Sequence, residues 1–471
     1  MDRRHFLLTS CAAAGGLSLA GLSGCATTGI NGGLDPEIAE LQERTFRWFW
    51  DVTPHETGLT PDRWPTPSFC SVAAVGSALT VYPIGVENGW ITRDQARERT
   101  LNTVRFFHDA PQGPQATGVT GHKGFFYHFL DMQTGHRFGT TELSTVDTAL
   151  LLGGMLFAAR YFDGDHADEV EIRRLVEAVY ARVEWPWTQV RGHKISMGWH
   201  PETGFIPHDW DGYNEGMLVI LLAMASPTHP VDPAAWAAWC STYDTLSWTD
   251  RWGQPYLHFA PLFGHQYSHM WVDFRGILDP YMRDKGFDYF ENSRRAAYAQ
   301  QAYARANAGT WTGYSDQVWG LTACDGPGDF TLDIAGRERE FFSYSARGPG
   351  ERDDGTIAPT AAAASIAFAP EIVIPCVKAM KARYPAIYTR YGFLDSFNPT
   401  LTETGGNDLL HGDIHPDVGW VADDYLGIDQ GPIVIMIENH KSDLVWRLMR
   451  TDPHIRRGLE RAGFTGGWLN A

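Results

Sequence analysis

Along most of this chain, stretches that are apolar on every side alternate with stretches that carry one apolar face, and this alternation limits the fold more than any other feature. A helix of the first kind has to be covered all round, and a helix of the second kind can do the covering. The clearest apolar run is Met217-Leu218-Val219-Ile220-Leu221-Leu222-Ala223-Met224-Ala225, closed by Ser226-Pro227. Helical spacing predicts an amphipathic helix over 36–51, with Ile38, Leu41, Phe46, Phe49 and Trp50 on its apolar face. An Ala/Val-rich helix follows over 68–82, and a third over 92–108 has Thr92 as N-cap and Asp94 in its first turn. Residues 121–131 alternate aromatics in the manner of a strand or extended loop. Helices are then predicted over 140–162, 169–184, 211–225, 233–243, 285–307, 360–383, 429–450 and 453–462, with a shorter element at 267–274. Roughly twelve segments in successive pairs suggest an all-α (α/α)6 toroid, six inner and six outer helices with aromatic-rich loops at one rim. Periodicity by itself supports only paired helices; the closed ring comes from the count. An open α-solenoid is the alternative, and no fixed-period repeat supports it.

The first residues are expected to lie outside that fold. Met1-Asp2-Arg3-Arg4 is a twin-arginine start, and Leu22-Ser23-Gly24-Cys25 resembles a bacterial lipobox. This predicts a signal over 1–24, lipidation of Cys25, a tether over 25–35 and one catalytic domain over 36–471 in the periplasm or cell envelope. Cleavage without a lipid is the alternative. Removing Asp2, Arg3 and Arg4 takes the net charge from −18 to −19. So acidic a chain does not seek nucleic acid or anionic lipid through its surface field, which leaves the anchor as the expected membrane contact. A monomer is the expected state, although nothing in the sequence fixes it. The internal cysteines Cys70, Cys240, Cys324 and Cys376 form no CxxC pair and no zinc pattern. Export already folded makes free thiols the default, although the periplasm permits disulfides. His265 and His269 are an i, i+4 pair without an accompanying carboxylate set, so no metal is expected. The chain has neither a glycine-rich phosphate loop nor a nucleophile elbow, and no cofactor is expected.

Carboxylates or amides stand beside aromatics at four loop-to-helix junctions. Glu142 and Asp147 flank the first and lie too far round a helix to share one narrow stripe, so one faces a ligand and the other supports it, unless Asp147 is only a hydrogen-bonding group. The second is His208-Asp209-Trp210-Asp211-Gly212-Tyr213-Asn214-Glu215-Gly216, which leads directly into the apolar run. Glu215 is expected in the first helical turn beside Trp210 and Tyr213, with Asp211 or Asn214 as a possible N-cap. In the third, Tyr267 and Trp271 offer faces to pyranose rings or are core, His269 stands between them, and Asp273 with Arg275 binds ligand or forms a buried ion pair. Asp429 and Gln430 stand at the fourth. Paired acids in an aromatic cleft fit glycoside hydrolysis, with one acid protonating the leaving oxygen while the other activates water or attacks the anomeric carbon. A carbohydrate lyase and a non-catalytic glycan-binding lipoprotein are the alternatives.

The chain resembles the glycoamylase-like proteins that include glycoside hydrolase family 144, the bacterial β-1,2-glucanases. The resemblance rests on Ser144-Thr145-Val146-Asp147, Tyr213-Asn214-Glu215-Gly216, the 267–275 stretch, Trp319-Gly320-Leu321-Thr322-Ala323, Asp354-Gly355-Thr356 and Gly427-Ile428-Asp429-Gln430. It implies a single (α/α)6 domain without metal, and inverting cleavage of β-1,2-glucan by an endo or a sophorose-releasing mode. The acids it carries over are Glu215, with Glu142, Asp147 and Asp429. Substrate contacts are expected from Trp210, Tyr213, Asn214, Tyr267, His269, Trp271, Asp273, Arg275, Trp319 and Gln430.

Overall fold

A computed structural model describes residues 33–470; the signal and Cys25 lie outside the described residues, and the tether only partly inside. The fold is mostly helical, at 45% helix with short strands, and is an (α/α)6 toroid. Its helices are α1 (Pro36–Val52), α2 (Val72–Glu87), α3 (Arg93–Asp109), α4 (Thr145–Tyr161), α5 (Ala167–Ala181), α6 (Met217–Ala225), α7 (Ala234–Cys240), α8 (Pro280–Lys285), α9 (Tyr289–Ala306), α10 (Pro359–Ala363), α11 (Pro370–Arg383), α12 (Gly427–Ser442), α13 (Leu444–Met449) and α14 (Pro453–Arg461).

Six elements close the inner ring. α2 packs on α4, α4 on α6, α10 on α12, and α12 back on α2. The gap between α6 and α10 is filled by single-turn 3-10 helices at Leu262–His265 and Ser268–Met270. Ser268 Oγ receives the Leu218 backbone N–H at 3.1 Å, and Gln266 Nε2 donates to Ala361 O at 2.8 Å. The predicted short element at 267–274 overlaps this fourth inner member only at Ser268–Met270, and residues 272–274 are irregular. α6 is buried at every residue and α2 from Val72 to Gly85, as members enclosed on all sides must be. α1, α3, α5, α9, α11 and α14 form the outer layer, each with one buried stripe; α1 turns Ile38, Leu41, Phe46 and Phe49 inward. Thr92 is the N-cap of α3, as predicted, and Gln95 closes a full capping box with it.

Two predicted helices are broken and a third starts late. Residues 360–383 divide into α10 and α11, 429–450 into α12 and α13 at left-handed Asp443, and the helix expected from 285 starts at Tyr289. Residues 211–216 are turns, so α6 is shorter than predicted. The aromatic stretch at 121–131 is extended, and its Phe125–Tyr127 strand lies in a five-stranded sheet.

Short strands place the helix starts at one rim. Cys70–Ser71 precedes α2, Leu143–Ser144 precedes α4 and Tyr425–Leu426 precedes α12. Each pairs with another rim segment, which sets where its helix begins. One hydrophobic cluster runs from Ile38 to Phe464, with a small satellite of Phe341, Leu401, Trp420 and Ala422 under the 330–341 hairpin. All four internal cysteines are free thiols.

Candidate active site

A cavity of about 640 Å³ opens at this rim, within the size range of small-molecule sites. Glu215, Asp147, Trp210, Tyr213, Asn214 and Tyr267 of the expected residues line it.

Glu215 is in the turn before α6 rather than inside its first turn. Gly216 is the N-cap, so neither Asp211 nor Asn214 is: Asn214 Oδ1 accepts the Gly216 N–H at 2.9 Å, and Asp211 pairs with Lys194. The capping hydroxyl comes from elsewhere in the ring, since Ser268 Oγ accepts from Leu218 N and donates to Glu215 O at 3.1 Å. Two glycines make this turn feasible. Gly212 has φ +68°, and a Cβ on Gly216 would sit 2.6 Å from the Trp210 indole and 2.8 Å from Asn214 Oδ1. Tyr213 stacks on Tyr289, with ring centres 5.8 Å apart and planes 5° apart, and burial pushes its phenol up to about 12. It stays protonated and does not serve as a base.

Asp147 arrives from the neighbouring inner helix. Ser144 caps α4, and its Oγ also bonds Asp147 Oδ2 at 2.5 Å. Trp210 Nε1 donates to Thr145 Oγ1 at 2.8 Å, which ties the Glu215 turn to the start of α4 and holds both acids on one cavity. Glu142 is one layer back, where its Oε1 is 2.9 Å from Nδ1 of His128, a cavity residue that sequence reasoning missed.

The opposite wall was also not anticipated. It comes from His258, Phe259, Asp329, Ser343–Ala346, Glu351 and Arg352. Arg352 has a left-handed backbone (φ +46°), donates from Nε to Ser345 Oγ at 2.5 Å and lies 3.9 Å over the Phe342 ring. The Ser343 backbone N–H and hydroxyl hold the Asp329 carboxyl below its ordinary range, which makes it a fixed anion rather than a proton donor. Beneath this wall Arg347, fully buried, pairs with Asp354 through two 2.8 Å bonds and donates to Cys324 O and Phe342 O.

The other expected residues are not on the cavity wall. Trp271 and Trp319 are fully buried core; the Trp271 indole N–H bonds Thr80 Oγ1 at 2.9 Å. His269 is buried with Nε2 3.1 Å from Ser293 Oγ, and burial lowers it to about 3, so it stays neutral. Asp273 is a buried ion-pair partner of Arg275 and Arg450, the structural alternative of the sequence analysis. Gln430 Nε2 donates to Phe393 O at 3.3 Å. Asp429 is in the first turn of α12, next to the lining residue Ile428, and is 2% exposed. Burial, and then the charges of Asp429 and Asp325, push the neighbouring Asp395 carboxyl well above its ordinary range.

The lining carries Asp147, Asp211, Glu215, Asp329 and Glu351 against one guanidinium, Arg352, an excess of carboxylate that disfavours an anionic ligand. Donor atoms of His128, Glu142 and Asp147 lie within 4.8 Å of one another, the one grouping of metal-ligand type found among the described residues.

The Glycoamylase family model matches residues 207–453, more than half of the chain. A solved structure from Bacteroides uniformis is 30% identical with a TM-score of 0.79, covering 93% of this chain and 100% of its own. The endo-β-1,2-glucanase of Chitinophaga pinensis, solved with sophorotriose and glucose, is 26% identical with a TM-score of 0.77, covering 92% of this chain and 98% of its own. The exo β-1,2-glucooligosaccharide sophorohydrolase (non-reducing end) of Parabacteroides distasonis is 27% identical over 463 residues and matches 91% of this chain. The chain spans 58% of the length of that curated relative.

Proposed function

We propose that this chain, which belongs to the Glycoamylase family, is a glycoside hydrolase that cleaves β-1,2-glucan with carboxyl groups alone. The observation that carries the reading is the convergence of Glu215 and Asp147 on one aromatic-lined cavity from the starts of two different inner helices, locked together by the Trp210–Thr145 bond. The relatives from C. pinensis and P. distasonis act on β-1,2-linked glucose, which supports that linkage as the substrate. In this mechanism one carboxylic acid protonates the glycosidic oxygen as the C1–O bond breaks. A second carboxylate takes a proton from the water that attacks C1 from the opposite face, inverting the anomeric centre. Glu215 is the acid assigned to the reacting bond, with Asp147 supplying the second carboxylate, Glu142 supporting it from behind and Asp429 standing behind the lining residue Ile428. Trp210, Tyr213, Asn214 and Tyr267 hold the sugars. Hydroxyl-rich, uncharged glucose units fit the acidic lining, whereas a uronate chain would meet five carboxylates, which disfavours the lyase alternative.

The enzyme is further proposed to act as a monomer in the periplasm or cell envelope, exported through residues 1–24 and held by a lipid on Cys25. Cys25→Ser, which removes the acylated thiol, is expected to move it from membrane to soluble fractions. The test of function is incubation of the chain from residue 36 with linear β-1,2-glucan. Sophorose-series products with an α-configured new reducing end are expected, together with a loss of roughly 100-fold or more in Glu215→Gln. Absence of products, or Glu215→Gln as active as the parent, overturns the reading; binding without turnover would identify a glycan-binding protein instead.

A further inference from the structure

His128 lines the cavity, and no part of the proposed mechanism uses it. The strand pairing of Phe126 with Ser144 and Tyr127 with Leu143 continues to His128 opposite Glu142, where the His128 backbone N–H donates to Glu142 O at 3.0 Å. Cross-strand partners present side chains to the same face, which brings the carboxylate to the ring. Glu142 Oε1 is 2.9 Å from Nδ1, and the ring stacks on Phe129 with centres 3.8 Å apart and planes 25° apart. These two contacts fix both the position and the rotation of the imidazole. Nε2 then points at Asp147 Oδ1 across 3.6 Å, buried and without a hydrogen bond. The other Asp147 oxygen is held by Ser144 Oγ at 2.5 Å, so Oδ1 is the one whose direction is still to be set.

We propose that His128 is a positioning residue for Asp147, with Glu142 acting through it. An Nε2–H donor aimed at Oδ1 keeps the Asp147 carboxylate turned into the cavity, and the 3.6 Å gap closes to a hydrogen bond when bound sugar excludes water. The ring bridges the two carboxylates, Nδ1 against Glu142 and Nε2 toward Asp147, and no bond to carbon forms or breaks. This rests on reading the cavity as a glucan-hydrolysing site.

The test separates the two nitrogens. In His128→Gln the amide nitrogen takes the place of Nε2, and in His128→Asn it takes the place of Nδ1. On β-1,2-glucan, His128→Asn is expected to lose roughly 10–100-fold in kcat with KM within about 3-fold, and His128→Gln to stay within about 5-fold of the parent. Glu142→Gln is expected to lower kcat in the same direction, with the His128→Asn/Glu142→Gln double variant no worse than His128→Asn, because the two act in series. Equal losses in the Gln and Asn variants, or losses confined to KM, overturn the inference while leaving the function intact. Glu142→Gln with unchanged kcat does the same if either His128 variant fails to fold. Loss of activity on chelation, restored by a divalent cation, also overturns it, since an ion would then occupy the gap between Nε2 and Asp147. A parent protein with no activity on the glucan removes the functional reading and this inference together.

Discussion

The contact on which the inner ring turns is glycine against glycine, and Gly154→Ala probes it. Where α2 and α4 cross, a Cβ on Gly154 would lie 1.9 Å from the backbone oxygen of Gly76, and one on Gly76 would lie 2.2 Å from Leu150 O. Real Cβ atoms keep at least 3.0 Å from such atoms, so the helices must separate by about 1.1 Å or bend. The obstructing atoms belong to the backbone and cannot rotate away. Overpacking of a tight core costs about 1–3 kcal/mol. A displacement of this size in the most buried pair belongs at the upper end. Alanine recovers about 0.5–1 kcal/mol through its higher helix propensity. The net expectation is a loss of about 2 kcal/mol, read as a lower urea midpoint at unchanged m-value. Activity should fall further than stability, because α4 carries Ser144 and Asp147 at its start and a shift near 1 Å in a catalytic group costs on the order of 100-fold. Gly154→Ala at or above parental stability, with full activity, would refute the close crossing of α2 and α4.

The cavity's far wall depends on the Arg347–Asp354 pair, both members of which have fully buried side chains. Asp354→Ala strands the guanidinium and is expected to cost about 3–5 kcal/mol in urea unfolding, with Arg347→Met/Asp354→Leu recovering a large part; a loss below about 1 kcal/mol contradicts this. Burial drives His265 well below its ordinary value and His269 to about 3, so both are neutral in the folded chain while unfolded chains take up protons below about 6.5. Their stabilising contribution is complete above pH 6.5 and is lost as pH falls toward 3, at up to about 1.4 kcal/mol per pH unit for each histidine. Urea midpoints at pH 7, 6, 5 and 4 should decline accordingly, and a flat profile would show that these rings are protonated when buried.

The ring of helix pairs could be read from the sequence because enclosure leaves a direct mark: a helix covered on all sides, such as α6, has no polar residue to place. The Glu215 turn was legible for a related reason, as a cluster of polar and aromatic groups has nowhere to go at the mouth of such a helix except the rim. Trp210 and Trp271 could not be told apart, since both are aromatic residues near a junction. Only assembled packing shows that one ends at Thr145 beside the cavity while the other fills the space left by Gly153. Asp273 and Arg275 illustrate the same ambiguity for charge, because the second partner of Asp273, Arg450, is 177 residues away. His128 went unnoticed because its role depends on strand register with Leu143–Ser144. The wall from Asp329 to Arg352 followed a hairpin, Phe330–Ile334 against Arg337–Phe341, turned by left-handed Ala335 and Gly336. Its alternating strands were a usable signal, but nothing local says which rim it folds against.

The most direct measurement is a crystal structure of Glu215→Gln soaked with a β-1,2-linked glucooligosaccharide. Sugar rings spanning the cavity, with a glycosidic oxygen about 2.6–3.2 Å from the residue 215 amide and a water held by Asp147 on the other face of the ring, are the predicted result. A ligand bound elsewhere on the molecule, or one whose glycosidic oxygens all lie beyond reach of residue 215, would contradict the account.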